Sequence, residues 1–337
     1  MAREISEYSE FAAACGLLGV EPEEITRQNI TDYFPKGRPD WEKYNRFLQA
    51  YRAEKKKYRA FVEIGKVVRE KIRQPDQIDW TGDERLASGT SVSRDLLCLD
   101  VNWSVGVKNG SDVVLNSSPV NLFVHIAKGE AKEQKGDNWF VTCGGEAYTR
   151  LCKYTAERLH GGDDLLKKLL LGERLPNAYK PALDKLVSED EFKDFYREMC
   201  HAVARRSAEI LKENTGEISR NAGEVVLRNF LRLNGERYIS LGLERSGERF
   251  AIQVPSVDEV VKHWKIQLLT ATPNLASRQC EVDIILELAH KKDGLLYRLP
   301  YRAEIRWSHG KFCGNPEAKL YKQFRWSDVP VVENILE

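Results

Sequence analysis

Two short runs, Asp95-Leu-Leu-Cys-Leu99 and Trp103-Ser-Val-Gly-Val-Lys108, constrain this chain more than any other stretch. The first is apolar after its leading acid, as in a strand covered on both faces. The second alternates Trp103, Val105 and Val107 with Ser104, Gly106 and Lys108, the period of a strand with two unlike faces. The pair predicts a β-hairpin. A loop of even length, either Val101-Asn102 or Asp100 to Trp103, would set Asp95 directly across from Lys108, with both side chains on one face.

A carboxylate and an ammonium meeting at strand ends suit phosphodiester hydrolysis. The carboxylate holds a divalent cation, and the lysine orients the nucleophile or offsets developing charge. The ordinary alternative is that an Asp entering a strand and a Lys leaving one are solvated residues at a sheet end.

The residues Arg94-Asp95-Leu-Leu-Cys98 and Trp103-Ser-Val-Gly-Val-Lys108-Asn109 resemble the catalytic segment of the GGCC-cutting type II restriction endonucleases, a branch of the PD-(D/E)XK nucleases. A second segment, Glu304-Ile-Arg-Trp-Ser-His-Gly-Lys311 followed by Asn315-Pro-Glu-Ala-Lys319, is similar to that family's closing strand. The two matches cover about a tenth of the chain. The resemblance implies an α/β (α+β) fold with a mixed central sheet flanked by helices, Mg²⁺ as cofactor, Asp95 as metal ligand and Lys108 as the residue that positions the attacking water. It also implies Asn109, Arg306, His309, Lys311 and Lys319 as DNA contacts.

One departure matters. The position two before the lysine is acidic in the general nuclease motif, and here it is Gly106. A glutamate from an earlier helix takes that role in related nucleases, and Glu63, in Arg59-Ala-Phe-Val-Glu63-Ile-Gly, resembles one. The helical wheel places Glu63 roughly 150° from the centre of the apolar strip Phe61, Ile64, Gly65, Val68, Ile72. A competing string, Asp112 with Glu130-Ala131-Lys132, has the full acidic-x-Lys form. Gly129, however, is expected to end the strand before it and leave it in a polar loop.

With 337 residues, 42% hydrophobic and 31% charged, the chain is an ordinary globular protein;. Its net charge of +1 requires any contact with nucleic acid to come from local clusters of Lys and Arg;. Seven cysteines without a CxxC pair or zinc-like spacing fit reduced thiols;. No signal peptide or membrane span is read, which predicts a cytoplasmic protein.

Taken in order, residues 1–73 read as a helical N-terminal region. Asp40 caps a helix carrying Trp41, Tyr44, Phe47, Leu48 and Tyr51, an aromatic stripe expected to be core. Arg52, Lys55, Lys56, Lys57 and Arg59 form a basic face that is either solvated or a backbone contact to DNA. Residues 74–160 hold the catalytic sheet, with Val113–Leu115 and Val120–Ala127 as further strands and a helix from Glu146 to Leu159. Residues 161–234 form a helical insert, and 235–337 a strand-rich part that supplies base contacts. In that part Trp307 is expected to anchor the core while Arg306 faces the DNA.

The reading is therefore a Mg²⁺-dependent, sequence-specific endonuclease acting on double-stranded DNA. It is expected to be a homodimer, because such sites are commonly palindromic. A non-catalytic nucleic-acid-binding protein with a nuclease-like fold is the alternative. A small-molecule enzyme has no supporting motif.

Overall fold

The computed structural model describes residues 2–81, 95–130, 138–215, 220–233, 235–308 and 310–336. In chain order they form helices α1 (Ala2–Leu18), α2 (Ile30–Tyr33), α3 (Trp41–Ala53) and α4 (Lys55–Lys71), then strands β1 (Ile78–Trp80), β2 (Leu96–Cys98), β3 (Trp103–Asn109) and β4 (Val113–Ser117). Helices follow: α5 (Ile126–Lys128), α6 (Trp139–Arg158), α7 (Gly162–Leu170), α8 (Lys180–Leu186), α9 (Asp190–Asn214) and α10 (Arg220–Phe230). Strands return as β5 (Tyr238–Leu243) and β6 (Arg249–Val254), then α11 (Val257–His263). The chain closes with β7 (Trp264–Pro273), β8 (Cys280–His290), β9 (Leu296–Arg306), β10 (Glu317–Lys322) and β11 (Glu333–Asn334). The fold is thus mixed α and β, as the residue patterns predict.

These elements divide into two compact units, each assembled from segments distant in sequence. One comprises Met1–Asp112, Arg232–Lys262 and Phe324–Glu337; the other comprises Val113–Leu231 and His263–Gln323. The helical region expected over 161–234 is thereby part of a larger body that begins at Val113. The strand-rich C-terminal part is shared between both units, because β5, β6 and β11 join the first sheet while β7 to β10 join the second.

In the first unit the sheet runs β1-β2-β3-β5-β6-β11. Every pair in it is antiparallel except β3 with β5. Leu96, Val105, Val107, Ile239, Leu241 and Ala251 join a core with residues of α1, α3 and α4. The aromatic stripe of α3 is core, as expected: Tyr44, Phe47 and Tyr51 are fully buried, and Phe11 packs edge-on against Trp80 and Phe47. Asp40 caps α3 by accepting from Lys43 N at 2.7 Å.

Helices α1 and α4 cross where two glycines face each other. A Cβ at Gly16 would lie 2.1 Å from Val62 O, and one at Gly65 would lie 2.5 Å from Ala13 O. Only glycine lets the two backbones approach this closely.

In the second unit the sheet is wholly antiparallel in the order β4-β10-β9-β8-β7. Helix α9 packs on β7 and β8, and α6 packs on α9. Trp139 Nε1 donates to Ser207 Oγ at 2.9 Å across that helix pair. Helix α6 begins at Trp139, before the Glu146 start expected from the glycine pair, and Gly145 interrupts it with φ 51° and ψ −133°.

One predicted strand is corrected. Residues 120–127 are helical, a π-helical stretch Asn121–His125 running into α5, and not a strand. Leu122, Phe123, Ile126 and Ala127 are buried together, a helical spacing;. The run is too short and too apolar for its periodicity to separate helix from strand.

Gly16→Ala must push α1 away from α4, and the expected cost is about 1 to 3 kcal/mol. Gly235→Ala, where a Cβ meets nothing within 4 Å, should change stability by less than about 0.5 kcal/mol;. Urea unfolding of both variants checks this, and an unchanged midpoint for Gly16→Ala would contradict the close crossing.

Candidate active site

The predicted hairpin is present, with a shifted register. Leu96 pairs with Val105, Leu97 with Ser104 and Cys98 with Trp103, so the loop is Leu99 to Asn102. Asn102 takes φ 54°, a left-handed conformation that asparagine tolerates and that closes the turn;. Continued outward, this register places Asp95 opposite Gly106, with Lys108 diagonal to it and not directly across. Asp95 N donates to Val105 O at 2.9 Å, and Asp95 Oδ2 accepts from Val107 N at 2.6 Å. The carboxylate thus extends the β2–β3 ladder, and the missing side chain at Gly106 leaves the cross-strand position open to it.

The second carboxylate at this site is Glu10 of α1, not Glu63. Glu10 is 6% exposed, its Oε2 accepts from Trp80 Nε1 at 2.6 Å, and its Oε1 accepts from Ser6 Oγ at 3.2 Å. Its pKa is raised to about 7, chiefly by burial and then by the charge of Asp95; the bonds from Trp80 and Ser6 and the charge of Lys108 oppose the shift. Glu63 instead lies on the side of α4 away from the core strip and pairs with Arg59 at 2.5 Å. Its wheel position explains the miss, since a ligand at a buried site must sit on the helix's apolar side. The signal for Glu10 was an acid sharing a helical stripe with Ala13, Ala14 and Leu17, all fully buried;.

Lys108 completes the cluster. Its pKa is lowered to about 8, first by burial and then by the neighbouring Arg232, while Asp95 and Glu10 hold it up. Arg232 follows α10 in a left-handed conformation with φ 55°, and its carbonyl accepts from the Tyr238 hydroxyl at 3.0 Å. Burial lifts Tyr238 to about 12, and its phenol feels both Arg232 and Asp95. Asn109 lies beside the cluster and donates its amide to Ser9 Oγ at 2.8 Å.

The other expected residues lie in the second unit. Arg306 sits between Glu317 at 3.2 Å and Glu304 at 3.7 Å, and Lys319 pairs with Glu317 at 3.4 Å. Trp307 is buried, donates to Gly314 O at 2.9 Å and packs against Phe140, so it is the core anchor that the alternation predicts. Lys311 lines a cavity, and His309 lies outside the described residues. Of the competing string, Asp112 ends the first unit and Glu130 belongs to the second, where it follows a helix and pairs with His125 at 3.4 Å. Lys132 lies outside the described residues. Within the basic face, Lys57 pairs with Glu54, and Arg59 with Glu21 and Glu63.

Glu10, whose ionisation the charge of Asp95 opposes, forms with that aspartate a hard-oxygen donor pair whose repulsion a divalent cation relieves;. Among the described residues no group of three or more Cys, His, Asp or Glu is placed to hold a metal. Two carboxylates with the remaining positions left to water and phosphate oxygens is the pattern Mg²⁺ adopts. Among the described residues no helix is long and apolar enough to cross a membrane. Compared with protein-family profiles, curated proteins and solved structures, the chain gives no match.

Glu10 holds its proton more tightly in the folded chain than in the unfolded one. Its contribution to stability is therefore full below about pH 4.5 and is lost as pH rises through about 7;. Glu10→Gln removes that loss, and the variant should exceed the wild type by about 1 to 3 kcal/mol at pH 8 and match it at pH 4. Urea titrations at the two pH values give the difference, and a gap independent of pH would mean that Glu10 ionises as in water.

Proposed function

We propose that the protein is a Mg²⁺-dependent endonuclease of the type II restriction class, hydrolysing phosphodiester bonds in double-stranded DNA. The observation that carries the reading is the convergence of Glu10, Asp95 and Lys108, two acids and a lysine from three separate elements, at one end of the catalytic hairpin. The first unit's mixed sheet with α1 and α4 against it agrees with the architecture that the resemblance implies. Glu10 fills the acidic role that Gly106 vacates.

In this reading Asp95 and Glu10 hold the cation. When bound, it polarises the scissile phosphate and makes an attacking water more acidic. The bond from Val107 N fixes the Asp95 carboxylate, and the bonds from Trp80 and Ser6 fix Glu10, so neither donor must be ordered during the reaction;. Lys108, with its pKa near 8, stays protonated at neutral pH and gives up a proton at modest cost;. It orients the nucleophile and offsets charge on the phosphate. Arg232, which lowers that pKa, is a further cation facing the same substrate group. Asn109, Arg306, His309 and Lys319 are the expected DNA contacts, and among them Arg306 and Lys319 must exchange glutamate partners for DNA; Lys311, set in a cavity wall over Tyr196, is left out of this set.

A non-catalytic nucleic-acid-binding protein is favoured by one observation, the presence of only two acidic donors at the site among the described residues. Digestion of plasmid DNA of known sequence with and without Mg²⁺ separates the two readings: discrete fragments support the nuclease, and a gel shift without cutting supports the alternative. Asp95→Ala, Glu10→Gln and Lys108→Met should each slow cleavage by about 100-fold or more, while Glu63→Gln cuts normally. Cleavage that survives Glu10→Gln but fails in Glu63→Gln would reverse the assignment of the second ligand. Two-fold sites call for a homodimer on DNA, and sedimentation of a single copy on its site would remove that part of the proposal.

A further inference from the structure

The second unit contains a cavity of about 380 Å³, within the range of small-molecule sites, between the start of α9 and the segments around Arg278 and Lys311;. Four cations line it, Lys193, Arg197, Arg278 and Lys311, against two acids, Asp190 and Asp194. The acids are already engaged: Asp190 Oδ1 lies 2.8 Å from Lys193 Nζ, and Asp194 Oδ1 lies 2.8 Å from Arg197 Nη2. Among the described residues neither Lys311 nor Arg278 has a carboxylate within ion-pair distance.

Lys311 is held in the cavity wall by packing and not by a counter-charge. Its Nζ stands 3.4 Å from the centroid of the Tyr196 ring and 5.9 Å from that of Trp307;. Tyr196 donates its hydroxyl to Gln279 Oε1 at 3.3 Å, which fixes the ring beneath the ammonium. Burial pulls the lysine down to about 8, with Cys200 and Glu304 acting weakly the other way. A desolvated ammonium without an anion is costly, and an incoming anion restores what burial removes.

We propose that this cavity is a binding site for a phosphate monoester carried by a small ligand, with Lys311 and Arg278 as its charge partners. Two unmatched cations call for a dianion. A phosphate monoester supplies nearly two charges and three acceptor oxygens, whereas a carboxylate or a backbone phosphodiester supplies one charge. Arg278, exposed at the rim, offers its guanidinium fork, and Lys311 offers a point charge from within;. The proposal rests on the second unit alone and stands whether or not the first unit cuts DNA.

Isothermal calorimetry of the full chain with inorganic phosphate, a nucleoside 5′-monophosphate and a short DNA duplex tests it. Saturable one-to-one binding of phosphate or the monophosphate is expected, weakened about tenfold or more by Arg278→Ala and by Lys311→Met. Lys311→Arg should restore part of the affinity. Thermal melting confirms that each variant is folded, and Arg278→Ala, at an exposed position, keeps the test valid if Lys311→Met is not. Absence of saturable binding to either small anion, equal binding by wild type and Arg278→Ala, or binding of the duplex alone would each overturn the proposal.

Discussion

The parallel pairing of β3 with β5 is the constraint on which the first unit depends. It joins two segments separated in sequence by the second unit's longer segment, Val113–Leu231, and it sets Lys108 beside Gly242. Gly242 takes φ 147°, and a Cβ there would stand 1.9 Å from Lys108 O. Any other residue would drive β5 off β3 at the residue that carries the ammonium. The strand so paired opens with Tyr238, whose phenol feels Asp95 and Arg232, and Arg232 acts in turn on Lys108, so the electrostatic surroundings of Lys108 are set by residues far away along the chain.

Around that strand the site gathers groups that a stable core would avoid. A buried glutamate beside an aspartate costs free energy whenever both are ionised, and a buried lysine beside an arginine does likewise. Folding tolerates these costs because α1 is locked against α4 at Gly16 and Gly65, and because Trp80 and Ser6 donate hydrogen bonds to the Glu10 carboxyl. Perturbed groups held by rigid elements are typical of functional sites, although structural ion pairs also perturb proton affinities. Here the surrounding hydrogen bonds fix the orientation of the acids without neutralising them.

The second unit distributes its charge differently. On the face of its sheet that carries Arg306, Arg298 pairs with Glu287, Arg302 with Glu281, and Arg306 with Glu304 and Glu317. Acidic and basic residues alternate across strands, which protects the sheet without building a one-signed surface. The cavity around Lys311 breaks that balance, since its two acids are already matched and two cations remain.

Much of the local structure was legible from residue patterns. Period-two alternation located β3 and marked 235–337 as strand-rich, helical spacing and Asp40 located α3, and the alternation around Trp307 identified it as core. Asp95 and Lys108 were found because a strand's opening acid and closing lysine are visible in a short window. What the window could not show was register: the turn closes over Leu99 to Asn102, which sets Asp95 across from Gly106 and not from Lys108. Nor could it show Glu10, because the choice between two helices as the source of the second acid depends on which of them packs beside β1 and β3. The stretch 120–127 was misread for a related reason, since eight apolar-rich residues fit either period until their neighbours bury one side. The sequence by itself therefore determined the elements and the hairpin residues, through short-range periodicity and turn chemistry. The tertiary structure alone decided the strand register, the helix that supplies the acid and the parallel neighbour, because those depend on contacts between segments that no local pattern links.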